Sequence, residues 1–364
     1  MRILFIINTL AMGGAERVGS TLCNAWAEQG HEVLLVQTYS GGGSNFFQVT
    51  PSIRQEILGG KVGKRNAFDI LRRAALLRHL TRNFEPDVVV SFLTSVNLLT
   101  LAATFGMGLR RIVAERTDPV SMPMPGIMRW GCRILYRFAD MVLVQNAHQG
   151  ERLESLYGRM PRLKAIANPL PKHLPEKGRR RANKPFRLIS LGRLDPSKRI
   201  DMIIDAFQRL ALDRPDWELH IFGDGPEMPR LKRQARSGQG AARVRFMGRT
   251  DEALNVLADA DIYASASTFE GFPNALMEAM AVGLPTLSTD CPCGPSEMTD
   301  HGKAGLLVPV NDEQAFTDAL ARLMDDAVLR DTLGKRAAAR ILTLCSQDVV
   351  LEQWRQAFSE LGAR

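Results

Sequence analysis

Five cysteines in 364 residues are too few and too scattered for a disulfide framework. Cys291-Pro292-Cys293 is too short and isolated for a zinc site, while Cys23 and Cys345 fall in helical patterns and read as core fillers. No apolar run approaches the roughly 18 residues that span a bilayer. Arg2-Ile3-Leu4-Phe5-Ile6-Ile7 is apolar but short, and lacks a signal peptide's layout. Neither GxGxxG nor GxxxxGK[ST] occurs. None of the six histidines pairs with a Ser or Cys nucleophile at a recognised spacing; His148, after the run Met141–Val144, reads as a satisfied structural residue in preference to one facing a cleft. No cluster suggests a metal site. These gaps argue against a secreted disulfide scaffold, a membrane-spanning protein and a P-loop NTPase, and place the chain in the cytoplasm.

What is present is ordinary for a soluble globular protein: 45% hydrophobic and 24% charged residues, in a length comfortable for two domains. The net charge of +8, from 47 Lys and Arg against 39 Asp and Glu, favours an anionic partner. Nucleotide phosphates, acidic lipid headgroups and nucleic acid all qualify. No nucleic-acid recognition motif is present, which argues against the last.

Short apolar runs alternate with helical patterns. Ile3–Asn8 reads as a strand, Ala15–Gln29 as a helix and Glu32–Thr38 as the next strand, with Val88–Phe92, Ile112–Ala114, Met141–Val144 and Leu163–Ile166 to follow. This is the βαβ rhythm of a parallel sheet. Between Pro169 and Pro185 four prolines and the basic run 177–181 break it. It restarts with strands at Arg187–Leu191, Trp217–Phe222, Val244–Met247, Ile262–Ala264, Pro285–Ser288 and Gly305–Val308. The expected fold class is therefore α/β. Residues 1–170 form one Rossmann-like domain, 171–185 a hinge and 186–345 a second, with a cleft between them. The helical segment 346–364 is expected to pack back towards the first domain.

The most telling stretch runs from Ser267 to Glu278. Glu270 falls in a loop, Pro273 suits a first helical turn, and Glu278 lies about one and a half turns into the helix. Two acceptor-only carboxylates flanking a helix N-terminus can hold hydroxyls, and the free amides between them can take an anion. That suits a sugar nucleotide. Gly192-Arg193-Leu194-Asp195-Pro196-Ser197-Lys198 follows a strand; Arg193 and Lys198 there could neutralise a diphosphate. Gly13 and Gly14 open the first long helix, either as a plain turn or where backbone approaches a phosphate. Gly41-Gly42-Gly43 follows no convincing strand. The Gly223-Asp224-Gly225-Pro226 turn and Gly248-Arg249-Thr250 are either tight turns or loops near a nucleotide.

Residues 61–82 read as a basic amphipathic segment. Asn66 could cap its helix, Phe68, Leu71, Ala75 and Leu76 group at helical spacing, and Arg72, Arg73, Arg78 and Arg82 recur between them. Such a helix suits either an anionic membrane surface or a core with a solvated Arg face. Met128–Phe138, with Trp130, Arg133, Tyr136 and Arg137, could add an aromatic–basic patch.

These residues resemble the retaining glycosyltransferases of family 4, also called glycosyl transferases group 1. The Glu-x7-Glu pair Glu270 and Glu278 carries the resemblance, with Gly192-Arg193, Lys198, the Gly223-Asp224-Gly225-Pro226 turn and Gly305-Leu306-Leu307-Val308 in order around it. The resemblance implies a GT-B architecture: two Rossmann-like, doubly wound parallel-sheet domains facing across a cleft. By position it implies that Arg193 and Lys198 bind the donor diphosphate and that Glu270 orients the donor sugar as a catalytic residue. Glu278 would hold the ribose, backbone N–H groups around Phe272–Leu276 would take the distal phosphate, and Gly271, Phe272, Pro273, Asn274, Ala275 and Leu276 would line the substrate site. Gly14 would approach the phosphates from the first domain. Arg116 stands where many members carry an acceptor-side His. The family uses no metal and no cofactor beyond its nucleotide-sugar substrate.

Within the family, Gly13-Gly14-Ala15-Glu16-Arg17 and Pro292-Cys293-Gly294-Pro295-Ser296-Glu297 are similar to enzymes that extend lipid-linked oligosaccharides in bacteria, often from UDP-N-acetylhexosamines. The implied partners are a UDP-sugar donor, a lipid-linked or other glycan acceptor and an anionic membrane surface met through residues 61–82. The implied location is the inner face of the cytoplasmic membrane. The alternatives are a transferase with a soluble acceptor and a GT-B sugar-nucleotide epimerase, although no convincing set of acid–base residues for the latter stands in the sequence.

Overall fold

The computed structural model describes residues 1–11, 13–40, 47–60, 67–118, 120–121, 124–176, 178 and 185–363. The chain divides into two compact units, Met1–Pro169 with Gln347–Arg364, and Leu170–Ser346. Of the stretch read as a hinge, residues 177 and 179–184 lie outside the described residues. So do Met12, the glycines at 41–43 and the basic residues at 61, 64 and 65 with Asn66.

Unit 1 holds the strands β1 (Arg2–Ile7), β2 (Glu32–Gln37), β3 (Arg54–Ile57), β4 (Val88–Phe92), β5 (Arg110–Ala114), β6 (Met141–Val144) and β7 (Leu163–Ala165). Its helices are α1 (Gly14–Glu28), α2 (Ala67–Phe84), α3 (Thr94–Ala103), α4 (Gly126–Leu135) and α5 (Ala147–Tyr157). Unit 2 holds β8 (Phe186–Leu191), β9 (Trp217–Phe222), β10 (Val244–Gly248), β11 (Ile262–Ser265), β12 (Thr286–Thr289) and β13 (Leu306–Val308). Its helices are α6 (Ile200–Leu210), α7 (Met228–Ser237), α8 (Ala253–Ala258), α9 (Asn274–Ala281), α10 (Pro295–Met298), α11 (Glu313–Asp325) and α12 (Ala327–Cys345); α13 (Gln347–Glu360) belongs to unit 1.

Both sheets are parallel throughout. Their strand orders are β3-β2-β1-β4-β5-β6-β7 and β10-β9-β8-β11-β12-β13. Each unit is thus a Rossmann-like, doubly wound α/β domain, and the fold class is that of the GT-B proteins. Strand alternation explains the layering. Ile3, Phe5 and Ile7 of β1 face α1 and α13, whereas Leu4 and Ile6 face α2 and α3. The first side is closed by an aromatic cluster in which the Trp26 and Trp354 rings lie 5.3 Å apart, and Phe5 and Phe92 4.7 Å apart. In unit 2, Leu188, Ile221, Ala264 and Leu287 pack against α6 and α11 through Ile203, Phe207, Phe316 and Leu320.

β3 has no counterpart in the sequence expectations. It is an edge strand of Arg-Gln-Glu-Ile paired only with β2, so it is mostly exposed and lacks an apolar run.

Helix α2 carries its apolar stripe outward: Phe68, Leu71 and Leu76 are exposed. Two of its arginines do not join that face. Arg73 shares the inner side with Leu77 and Phe84; it pairs with Asp69 at 3.2 Å and stacks 4.3 Å from the Tyr39 ring. Arg78 donates to Ala103 O at 2.8 Å and Phe105 O at 2.9 Å. Tyr136, counted with the aromatic–basic patch, is wholly buried. No helix among the described residues is long and apolar enough to cross a membrane.

Candidate functional site

In an all-parallel sheet the loops that follow the strands emerge along one edge, and ligands bind there. In unit 2 these loops are laced together by their backbones. Gly223 N, after β9, donates to Gly248 O of β10 at 2.7 Å. Gly192 N, after β8, donates to Phe222 O at 3.0 Å, and Leu194 N to Asp224 O at 2.9 Å. Thr268 N, after β11, donates to Ser197 O at 2.8 Å, and Thr289 Oγ1, ending β12, to Ser267 O at 2.6 Å. The strand order thus brings Gly192, Arg193, Lys198, Gly223, Gly248 and Glu270 to one edge. The closeness has a backbone requirement at Gly223, whose φ is 132° and where a Cβ would collide with Gly192 O.

Asp195 organises the first loop. Its Oδ1 accepts from Ser197 N at 3.0 Å and Ser197 Oγ at 2.5 Å, capping the short turn Pro196–Lys198. Its Oδ2 accepts from Arg193 Nε at 2.7 Å, and the Arg193 side chain is nevertheless 76% exposed. Burial would raise the Asp195 pKa, but the Ser197 and Arg193 hydrogen bonds and the Arg193 charge outweigh it and hold it below the usual carboxylate range. At the other end of the turn, Lys198 Nζ sits 2.5 Å from Glu270 Oε1, and Ser267 Oγ donates to the same oxygen at 2.7 Å. A cation and a carboxylate are therefore presented side by side, with an exposed guanidinium on the same loop.

Glu278 is buried in the second turn of α9. Tyr263 links the two glutamates: burial raises its pKa, and the negative charges of Glu270 and Glu278 add to that. Burial likewise raises the Cys291 thiol, with Glu270 reinforcing the shift and Lys198 opposing it. The α9 N-terminus is narrower than the sequence suggests. Helix α9 starts at Asn274, with Pro273 at the capping position. The Asn274 amide is spent on Phe272 O at 2.9 Å. Met277 N is the first amide to reach back a full turn, to Pro273 O at 3.0 Å, so the Ala275 and Leu276 amides precede that bond and stand where a helix offers donors to an anion. Gly271 and Phe272 belong to the loop that leads into it.

In unit 1, Gly13 is the N-cap of α1 and Gly14 its first residue. Arg116, just past β5, is buried: its guanidinium stacks 3.6 Å from the Phe92 ring, and Nη1 donates to Asn168 Oδ1 at 2.9 Å. Burial lowers its pKa to about 9, against the pull of Glu115. Two further groups at these strand ends escaped the sequence reading. Glu115 is buried, accepting from Thr94 Oγ1 at 2.8 Å and from the Tyr136 hydroxyl, and burial raises its pKa despite those bonds. Asp118 accepts from Arg152 Nη2 at 2.7 Å and Nε at 3.0 Å. Asp118-x-x-Ser121 signals a local turn, but nothing in the sequence ties Arg152 to it. His148 lies on the surface, 3.6 Å from Glu151.

Residues 12–172 match the family model described as Glycosyltransferase Family 4, and residues 185–326 the one described as Glycosyl transferases group 1, together most of the chain. An exopolysaccharide phosphotransferase of Streptomyces coelicolor is 37% identical over 302 residues, 82% of this chain but 31% of that relative's length. A Campylobacter jejuni enzyme is 26% identical over 99% of both chains; it is the GalNAc-alpha-(1->4)-GalNAc-alpha-(1->3)-diNAcBac-PP-undecaprenol alpha-1,4-N-acetyl-D-galactosaminyltransferase. Among solved structures, Anabaena HepE in complex with UDP superposes with a TM-score of 0.83 at 18% identity, over 99% of this chain and 100% of that one. At that identity the likeness carries the fold alone.

Proposed function

The chain belongs to glycosyltransferase family 4, and on that premise we propose that it is a retaining, metal-independent transferase. It moves a hexose or N-acetylhexosamine from a UDP-sugar to a lipid-linked saccharide or other glycan acceptor, in bacterial cell-surface polysaccharide or glycoconjugate synthesis. The observation that carries this reading is the Lys198–Glu270 pair, 2.5 Å apart on a strand-end edge that also presents Arg193. A departing UDP needs positive charge where negative charge develops, and Arg193, Lys198 and the α9 amides supply it. Glu270 orients the sugar hydroxyls, Glu278 holds the ribose, and the loops at Gly223 and Gly248 border the nucleotide. Gly13, Gly14 and Arg116 of unit 1 are assigned to substrate binding.

UDP as the nucleotide is supported by the ligand of the HepE complex. A lipid-linked acceptor is supported by the Campylobacter relative, which acts on a PP-undecaprenol-linked saccharide. The protein then works as a peripheral protein at the inner face of the cytoplasmic membrane. UDP titration by calorimetry tests the site: Glu278→Ala and Arg193→Ala should each weaken binding by roughly 10–100-fold, the loss of one or two charge-assisted hydrogen bonds. Parent-like UDP binding by both variants would overturn the assignment. A chelator that abolished turnover of the parent would remove metal independence.

A further inference from the structure

Helix α4 and the turn Tyr136–Phe138 that continues it expose apolar residues in a single line. Ile127, Trp130, Ile134 and Phe138 are 76%, 65%, 37% and 43% accessible. Their spacing of three, four and four residues keeps them on one face of a helix. The opposite face is spent on the fold. Cys132 and Tyr136 are buried with Val113 and Val142.

Beside the apolar line runs a second one. Arg129, Arg133 and Arg137 recur every four residues, all exposed, and none forms an ion pair with a carboxylate among the described residues. No acidic residue occurs between Asp118 and Asp140. The surface continues at Phe105, which is exposed and packs edge-on against Phe138 with ring centroids 5.3 Å apart. Arg78 of α2 holds the Phe105 carbonyl, so the outward stripe of α2 borders the same region.

From this pairing of stripes we infer that the α4–Phe138 ridge docks on an anionic phospholipid surface. An apolar line with an interfacial tryptophan lies in the acyl boundary, while the arginine row beside it meets lipid phosphates. The charge row selects this occupant over a second copy of the chain, because a two-fold pairing of the ridge would set like charges against one another. Helix α2 keeps Arg72 and Arg82 exposed but turns Arg73 inward and ties Arg78 to backbone carbonyls; on the ridge all three arginines are exposed, with Arg129 reaching back to Met124 O at 3.5 Å, so the ridge adds an intact cationic row to that of α2. The inference rests on the proposed membrane-borne acceptor for its purpose but not for its test.

The test uses the full chain, with vesicles of phosphatidylcholine alone or with phosphatidylglycerol and with no donor or acceptor. Trp26, Trp217 and Trp354 are buried, so Trp130 is the tryptophan placed to report on lipid. Phosphatidylglycerol vesicles should sediment the protein and shift its tryptophan emission to the blue, and high salt should release it. Replacing Arg129, Arg133 and Arg137 with Ser should lower the partition coefficient roughly a hundredfold. Ile127→Ser with Trp130→Ser should also release the protein, whereas Trp130→Phe should keep binding and lose the spectral shift. UDP affinity, measured on each variant, should stay at the parent value and so vouch for the fold. Binding to vesicles that none of these changes affects would overturn the inference. So would a parent that ignores vesicles, or a dimer in lipid-free solution that Ile127→Ser with Trp130→Ser dissolves. Failure here with normal UDP binding leaves the transferase reading in place; failure of UDP binding with normal vesicle binding does the opposite.

Discussion

The two units share a parallel sheet and a strand-end edge, but they spend their polar residues there differently. In unit 2, Arg193 is held by Asp195 and still projects into solvent, and Lys198 stands half-buried against Glu270 between the same loops. In unit 1 the corresponding polar groups are turned inward. Glu115 is closed off by Tyr136 and Thr94, Arg116 by Phe92 and Asn168, and Asp118 by Arg152. The outward chemistry of unit 1 lies instead on its helices, as apolar stripes and arginines. One unit presents charge outward from its loops; the other uses most of its strand-end charge to fix its loops.

The cores differ as well. Unit 2 is built from one continuous stretch, whereas unit 1 is completed by α13, whose Trp354 and Phe358 sit against Trp26. Trp354→Ala should therefore destabilise unit 1 by about 4 kcal/mol, through lost burial and the cavity left behind. Hydrogen exchange should show lower protection in β1 and β4 and parent-like protection in β8 and β9. Equal losses in both sheets would mean that the units do not open separately, and this part of the comparison would fail.

At the ligand edge the comparison can be broken from the other side. Lys198→Ala should lower kcat/KM for the donor by about 3 kcal/mol, the usual cost of removing one charge-stabilising donor. Lys164→Ala, which removes the exposed pair to Glu360 in unit 1, should change kcat/KM by less than about 0.5 kcal/mol. If steady-state kinetics gave the two variants similar losses, the view that the exposed strand-end charges of unit 2 act directly on the donor would not survive.

How much of this could be read from the sequence follows the same division. Strands β4, β6 and β9 stood out with their observed ends, because buried parallel strands are continuous apolar runs between breakers. Edge strand β3 has no such run and left no trace. Lys198, Glu270 and Gly223 were legible because each lies within a few residues of a strand end, where a short motif records local geometry. Asp195 was in plain view in Asp-Pro-Ser, a capping signature, yet its hold on Arg193 appears only in the structure. The Asp118–Arg152 and Glu115–Tyr136 contacts join residues 34 and 21 positions apart. Such pairings are set by which strand neighbours which, and no local pattern encodes that. Arg73 shows the converse. Its spacing marks it as basic and amphipathic, but only the position of Tyr39 reveals that the guanidinium turns inward.

The finest comparison sets Asp118 against Asp195. Both accept from a serine amide and hydroxyl and from an arginine, and both have pKa values below the ordinary 3.8 although burial acts to raise them. A carboxylate with a depressed folded pKa stabilises the native state above its unfolded pKa, and that contribution disappears as pH falls through the folded value. The Asp118 side chain is 0% exposed and its bonds serve only the fold. Asp118→Asn should then cost about 2 kcal/mol of stability at pH 7. The difference from the parent should shrink once the pH drops below about 4. Asp195→Asn should cost less, about 1 kcal/mol or under, because it removes a turn cap and one exposed pair. Its larger signature should be functional: with Arg193 released from its guide, KM for the donor should rise several-fold while kcat moves little. Denaturant titrations at pH 7 and pH 3.5, with donor KM for each variant, resolve the two roles. A donor KM effect at Asp118 equal to that at Asp195 would erase the distinction between a carboxylate that closes a loop and one that aims a cation.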